Sequence, residues 1–205
     1  MRLFVAINFN NETRARLLAL RDELSAKSER GNYSAQENLH LTLAFLGECD
    51  EKQGADARAA MEASSFGQFP VHVDRIGRFK RNGGDIWWAG LQESEQLIRL
   101  QQDLTDNLTE AGFALKRRKY SPHVTLGREV VTVAKPWDIE PFGEMVSAID
   151  LMKSERIRGK LTYSSIFRRE NSPVANWRIN EDQSISIFQG RLYPSHEDSD
   201  EVKKH

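Results

Sequence analysis

The stretch ENLHLTLAFLG, residues 37–47, places His40 and Thr42 inside an apolar run that otherwise predicts a buried β-strand. Strand side chains alternate between two faces, so His40 and Thr42 share one face. We expect the opposite, core-facing side to carry Leu41, Leu43 and Phe45. Burying an imidazole and a hydroxyl costs free energy unless each finds a partner. The pair therefore indicates a functional site on one face of this strand.

A second stretch, YSPHVTLGRE at residues 120–129, repeats the pattern with His123 and Thr125. The strand that begins near Phe4 precedes the first motif's histidine by 36 residues, and the strand near Trp87 precedes the second by the same interval. Because the order of strand, helix and His-x-Thr strand also agrees, we infer an internal duplication. It predicts two similar, pseudo-symmetric lobes, each supplying one His-x-Thr strand to a central cleft.

The order of elements predicts the α+β class with antiparallel or mixed sheets, because strands and helices do not alternate strictly. Capping residues and periodicity predict three helices, which begin near Asn10, Asp50 and Ser94. Strands are predicted at 3–9, 39–46, 69–79, 85–92, 122–131, 144–154 and 159–169.

The sequence divides into a main domain, 1–168, and a C-terminal extension, 169–205, where the earlier rhythm of strands and helices is lost. Within the extension, WRIN (177–180) and SISIF (184–188) are predicted to pair as a hairpin. The final SHEDSDEVKKH is charged and without large apolar residues, which is typical of a disordered end.

The composition is that of an ordinary globular protein of 205 residues, 39% hydrophobic and 29% charged. A formal net charge of −1 gives no general attraction for a polyanion, so any nucleic-acid contact must be local. The single cysteine, Cys49, excludes an internal disulfide and a thiolate metal cluster. No stretch has the character of a signal peptide or membrane span. We therefore expect a cytoplasmic protein with no membrane partner and no obligate protein partner.

Two imidazoles and two hydroxyls in one cleft suit the cleavage of a phosphodiester. With an ordinary pKa of about 6.5, one histidine can be protonated while the other is neutral, which provides a general acid and a general base. The threonine hydroxyls can donate to non-bridging phosphate oxygens. This chemistry needs no metal and no cofactor, and we predict neither. Packing readily explains one strand histidine, but not two at matching places in a duplicated unit.

The two motifs resemble the paired H-x-T-x motifs of the 2H phosphoesterases, and within them the bacterial RNA 2′,3′-cyclic phosphodiesterases, also called 2′-5′ RNA ligases. The likeness runs from Met1 to about Phe167 and includes FVAI, FLGE and WWAG. It implies hydrolysis of RNA 2′,3′-cyclic phosphate ends, tRNA fragments among them, to 2′-phosphates, with a weak and reversible 2′-5′ joining activity. It also implies that His40 is the proton donor and His123 the proton acceptor, with Thr42 and Thr125 binding substrate.

Arg128 is a further candidate for substrate binding, because the resembling family often has a phosphate-contacting arginine five residues after its second histidine. Strict alternation would instead place Arg128 on the core side with Val124 and Leu126. A strand that ends or bulges at Gly127 would turn Arg128 toward the cleft.

The run KRRKY, residues 116–120, is either a solvated loop or a track for RNA phosphates. Tyr120, Trp87 and Trp88 are candidates for stacking on a base, with core packing as the other interpretation for the tryptophans.

Three alternatives stay open at this point. His40, His123 and His72 could form a zinc site, although threonine is a poor zinc ligand and no short His-x-His spacing is present. The chain could be an RNA-binding module without catalysis, which leaves the matched histidines unexplained. Another substrate, such as ADP-ribose 1″,2″-cyclic phosphate or a 2′-5′ oligonucleotide, is compatible with the same motifs.

Overall fold

The computed structural model describes residues 1–115 and 119–171, and the backbone of two short strands at 185–188 and 191–194. The strands are β1 (Arg2–Asn8), β2 (Ser28–Tyr33), β3 (His40–Glu48), β4 (Phe69–Phe79), β5 (Asp85–Leu91), β6 (His123–Thr132), β7 (Trp137–Val146), β8 (Ala148–Ile157), β9 (Lys160–Glu170), β10 (Ile185–Phe188) and β11 (Arg191–Pro194). The helices are α1 (Asn11–Ala26), α2 (Glu51–Ala63) and α3 (Glu95–Glu110), and a 3₁₀ turn covers Gln36–Asn38.

Two antiparallel sheets form the first compact unit, Met1–Asn171, and confirm the predicted α+β class. The first sheet has the order β3-β1-β8-β9, and the second has the order β2-β6-β5-β4-β7. One continuous apolar core contains residues of both sheets, including Leu41 of β3 and Val124 of β6, which are fully buried.

The three helices begin where their capping residues predict. The side chains of Asn10, Asp50 and Ser94 each accept a hydrogen bond from a backbone N–H in the first turn. Asp50 and Gln53 form a complete capping box. Helix α3 buries its predicted apolar stripe, which consists of Leu97, Leu100, Leu104 and Leu108.

The duplicated β-α-β units are both present, but the helix of each unit packs against the sheet that contains the strands of the other unit. Helix α1 follows β1 of the first sheet and packs on β2 and β6 of the second. Helix α3 follows β5 of the second sheet and reaches β3 of the first, while it also contacts α2 and β4. The two halves are therefore interwoven rather than consecutive along the chain.

One predicted strand is two strands in the structure. The run 144–154 is broken at Ser147, because β7 ends at Val146 at the edge of the second sheet and β8 begins at Ala148 in the first. Strand β2 and the first seven residues of β7 were absent from the sequence prediction. β2 reads SERGNY and has no apolar alternation, and in β7 the alternation of WDIE is interrupted by Pro141 and Gly143, which are unfavourable in strands.

The second unit, Ser172–His205, contains one described hairpin. The strand predicted in SISIF exists as β10, but it pairs with β11, with Ile185 opposite Pro194. The predicted partner WRIN and the charged final residues lie outside the described residues. The division at residue 168 stays a prediction. Among the described residues, no helix is long and apolar enough to cross a membrane.

Candidate active site

Each His-x-Thr motif begins the strand that pairs with the first strand of its duplicated unit, β3 with β1 and β6 with β5, although β3 is at a sheet edge and β6 also pairs with β2. His40 is the first residue of β3 and lies opposite Asn8, and His123 is the first residue of β6 and lies opposite Gly90. Over their first five residues both strands have the same exposure pattern, in which the histidine and threonine are half-buried and the residue between them is buried. Each strand thus presents an imidazole and a hydroxyl on one face, as predicted.

Each motif strand carries a β-bulge immediately after its threonine. Thr42 lies opposite Ala6, and the next pair is Ala44 with Val5, so the intervening Leu43 has no partner. In β6, Leu126 is likewise extra between the pairs Thr125–Trp88 and Gly127–Trp87. An extra residue reverses the alternation of side chains beyond it.

The bulges determine which face receives the fifth residue after each histidine. Phe45 is 61% exposed and its ring lies 6.1 Å from that of Phe4, so the prediction that Phe45 faces the core was wrong, because the bulge at Leu43 turns it to the His40 side. Arg128 is exposed, and the bulge at Leu126 separates it from the core-facing residues of β6.

His40 lies among aromatic rings and is largely removed from solvent. Its ring centroid is 4.9 Å from that of Phe4 and 5.3 Å from that of Tyr163. Burial lowers the pKa of His40 to about 4, the backbone of Asn38 opposes this, and the positive charge of Arg128 adds to the lowering. Strands β3 and β6 contact each other, which agrees with this effect of the second motif's arginine on the first motif's imidazole.

His123 has a defined hydrogen bond on one ring nitrogen. Its Nδ1 lies 2.7 Å from the carbonyl oxygen of Ser121. Because a carbonyl only accepts, Nδ1 carries the proton and the neutral ring keeps an acceptor at Nε2. The rings of Phe79 and Trp88 lie 5.3 Å and 6.0 Å away.

The other aromatic candidates have different environments. Trp87 is fully buried in the core, and Trp88 is half-buried with its ring over Gly77, where a Cβ would overlap the indole. Tyr120 is half-buried and packs against the core, and its hydroxyl donates to the carbonyl of Thr42 at 2.9 Å, which favours a structural role for this side chain. Residues 116–118 of the basic run lie outside the described part of the chain.

The zinc alternative requires His72 beside the two motif histidines. His72 is exposed on β4, opposite Gly143 of the edge strand β7. Within residues 1–115 and 119–171, no three His, Cys, Asp or Glu side chains are grouped so that they could hold a metal ion. The motif histidines thus have no described third ligand, and independence from metal stays a prediction.

Comparison with known proteins identifies the family of this chain. The model of the 2′-5′ RNA ligase superfamily matches residues 9–156, and the chain belongs to this family. It is 32% identical over 185 residues to an RNA 2′,3′-cyclic phosphodiesterase of Escherichia coli, which covers 88% of this chain and 97% of the relative. An RNA 2′,3′-cyclic phosphodiesterase of Archaeoglobus fulgidus is 32% identical over 153 residues, or 71% of this chain and 85% of the relative.

Solved structures share the fold. The crystal structure of E. coli LigT complexed with 3′-AMP superimposes with a TM-score of 0.72 at 27% identity, covering 83% of this chain and 98% of that one. LigT has also been crystallised with phosphate, with a TM-score of 0.69 at 26% identity, covering 83% of this chain and 96% of that one. The α+β class and the family resemblance predicted from the motifs are both confirmed.

Proposed function

We propose that this chain hydrolyses the 2′,3′-cyclic phosphate at an RNA end, with His40 as proton donor and His123 as proton acceptor. The observation that carries the proposal is the hydrogen bond from the Tyr120 hydroxyl, three residues before His123, to the carbonyl of Thr42 at 2.9 Å, because it brings the two His-x-Thr strands together. The names of the relatives supply the reaction class.

The reaction follows from an acid and a base on opposite sides of phosphorus. His123 takes a proton from water through Nε2, consistent with the hydrogen bond that holds Nδ1. The water oxygen bonds to phosphorus, the bond from phosphorus to the ribose 3′ oxygen breaks, and His40 gives its proton to that oxygen. The products are a 2′-phosphate and a 3′-hydroxyl. Thr42 and Thr125 donate to the non-bridging oxygens.

The low pKa of His40 requires that substrate help to protonate it. Without substrate, the imidazole of His40 is neutral near pH 7, since burial and the Arg128 charge both disfavour the imidazolium. A cyclic phosphate brings a negative charge between the two motifs. That charge neutralises part of the arginine's effect and attracts a proton to His40, so the acid form is produced with substrate bound.

Phe45 and Arg128 extend the site to the terminal nucleoside. Both follow their histidine by five residues and both are exposed beyond a bulge. An exposed aromatic ring beside a nucleotide phosphate is suited to stack on a base, and a guanidinium is suited to bind phosphate oxygens. Sequence alternation missed Phe45, although its position relative to His40 matches that of Arg128 relative to His123.

The same site accounts for 2′-5′ joining as a side reaction. If the 5′-hydroxyl of a second RNA replaces the attacking water, its oxygen bonds to phosphorus and the 3′ oxygen leaves. The product is a 2′-5′ phosphodiester, and the reverse reaction restores the cyclic end. Water at molar concentration favours hydrolysis.

The experiment is turnover of an oligoribonucleotide with a 2′,3′-cyclic phosphate end, in excess EDTA, with analysis of the product end. We expect a 2′-phosphate and a bell-shaped dependence of kcat/KM on pH. A 3′-phosphate, or both isomers in equal amounts, would contradict the assignment of His40 to the 3′ oxygen. Loss of activity in EDTA that zinc or manganese restores would place the protein in a metal-dependent class. Turnover of ADP-ribose 1″,2″-cyclic phosphate but not of the RNA would select the alternative substrate.

A further inference from the structure

Two hydroxyl groups outside the motifs connect each His-x-Thr strand to the segment that leads into the other. The Ser34 hydroxyl, six residues before His40, donates to the carbonyl of Thr125 at 2.7 Å. The Tyr120 hydroxyl, three residues before His123, donates to the carbonyl of Thr42 at 2.9 Å. The two hydrogen bonds are thus reciprocal, and we call the pair the hydroxyl clamp.

Ser34 is fixed on three sides. Its N–H donates to the carbonyl of Leu126 at 2.9 Å, next to the carbonyl that its hydroxyl contacts. Its own carbonyl accepts from Nη1 of Arg21 in helix α1, at 2.9 Å. Helix α1 packs on the second sheet, so Ser34 is held against that sheet before the chain enters the first motif. The direction of its hydroxyl is therefore set by the backbone.

Tyr120 is a hydrogen-bond donor held in apolar surroundings. Its ring packs against the core, and burial raises the pKa of Tyr120, so the hydroxyl keeps its proton. Its acceptor lies on β3, which is an edge strand of the first sheet with β1 on one side only. A side chain from the second motif's lead-in can therefore reach the backbone of the first motif.

The acceptors of the clamp are the peptides at the two bulges. The carbonyl of Thr42 belongs to the peptide that precedes Leu43, which has no partner in β1, and that of Thr125 to the peptide that precedes Leu126, which has no partner in β5. A bulge disrupts the ladder locally, so these peptides are less constrained by their own sheet than the rest of the strand. A hydrogen bond from outside the sheet replaces that constraint.

We infer that Ser34 and Tyr120 are positioning residues for the reaction, since each fixes the bulged peptide, and with it the phosphate-binding threonine, of the opposite motif. The inference rests on the proposed function, because it acts through Thr42 and Thr125. It also makes the two halves of the site interdependent. Each motif reaches its working geometry only when the lead-in to the other motif is in place.

The first test removes each hydroxyl and leaves the rest of the side chain. Tyr120→Phe and Ser34→Ala are each expected to lower kcat by about 10- to 100-fold with little change in KM, since small displacements of a catalytic group have effects of this size. Tyr33→Phe is the control for Tyr120, because the Tyr33 hydroxyl is buried without a hydrogen-bond partner among the described residues. Ser28→Ala is the control for Ser34, because its hydroxyl donates to the carbonyl of Leu24 at 2.7 Å, away from both motifs.

The decisive measurement is a crossed set of double variants with Thr42→Val and Thr125→Val. The effect of Tyr120→Phe should shrink in the Thr42→Val background and persist in the Thr125→Val background, and that of Ser34→Ala should show the reverse. A purely structural role would give the same coupling to both threonines, and that result, or full additivity in all four pairs, would overturn the inference.

A measurement without substrate separates this inference from the proposed function. In NMR spectra, Tyr120→Phe should shift the amide of Leu43 more than that of Leu126, and Ser34→Ala should do the opposite. Uniform shifts, or none at either amide, would contradict the clamp even in an active enzyme. If the protein instead fails to turn over cyclic-phosphate RNA while the crossed shifts are observed, the proposed function is wrong and the clamp geometry stands.

Discussion

His40 and His123 begin equivalent strands with matching bulges, yet their imidazoles have different surroundings. His40 packs against Phe4 and Tyr163, and burial lowers its pKa to about 4. The Nδ1 of His123 instead contacts the carbonyl of Ser121 at 2.7 Å, which defines its tautomer. The motif thus provides the geometry of both histidines, and the neighbours outside the motif make the two chemically unequal.

A second difference lies at the fifth residue after each histidine. Past equivalent bulges, the first strand carries Phe45 and the second carries Arg128. One side of the site is suited to a flat, uncharged base, and the other to a negatively charged phosphate. We therefore propose that the duplication is used asymmetrically, with one strand for the base and the other for the phosphate of the substrate.

Removal of either imidazole is the largest expected effect. His40→Ala and His123→Ala should each lower kcat/KM by about 10²- to 10⁴-fold, the usual contribution of a general acid or base. Because the two groups act in one step, the double variant should be little worse than either single variant. The measurement is turnover of a cyclic-phosphate oligoribonucleotide.

The matched control is His72→Ala, since His72 is exposed on β4 and outside both motifs. It should be as active as the starting chain. Circular dichroism of all variants checks that the fold is retained. Near-normal activity in either motif variant would contradict the roles assigned to the two histidines, because one histidine would then be sufficient.

The parts of the molecule that were predictable from sequence depend on local patterns. Period-two apolar runs identified the motif strands, and Asn10, Asp50 and Ser94 identified the starts of the helices. The orientation of Phe45 was not predictable, because a bulge breaks the period without changing the residue types. The crossed hydrogen bonds of the hydroxyl clamp were not predictable either, since they join residues 91 and 78 positions apart.

The pH dependence of stability is the next largest effect. Since the pKa of His40 is lowered from 6.5 to about 4 by folding, the unfolded chain binds the proton more tightly. The free energy of unfolding is therefore highest above pH 6.5, where His40 is neutral in both states, and it falls as the pH is lowered toward 4. Glutamine at position 40 cannot titrate. Between pH 8 and pH 4, the free energy of unfolding of His40→Gln should therefore fall by about 3 kcal/mol less than that of the starting chain. Denaturant unfolding at both pH values measures this.

If the free energy of unfolding changes equally with pH in the starting chain and in His40→Gln, then His40 is not desolvated in the folded state. A second measurement compares the pKa of His40 with and without a bound nucleoside 2′-phosphate. The anion should raise the pKa of His40, which histidine NMR resonances report directly. A pKa that stays near 4 in the complex would contradict the role of His40 as proton donor near neutral pH.

The smallest expected effects belong to Phe45 and Arg128, and they should separate by substrate. Phe45→Ala is expected to lower kcat/KM by about 10-fold, the low end of what base stacking contributes. Arg128→Ala should lower kcat/KM by a similar or somewhat larger factor, because it removes a contact to the phosphate.

A terminal nucleotide that keeps the cyclic phosphate but lacks the base separates the two roles. On this substrate the effect of Phe45→Ala should disappear, while that of Arg128→Ala persists. Phe45→Leu, which keeps apolar bulk without a flat ring, should recover little on the normal substrate. Equal losses on both substrates would mean that Phe45 acts on the phosphate side of the site, and the division of labour between the two strands would then be wrong.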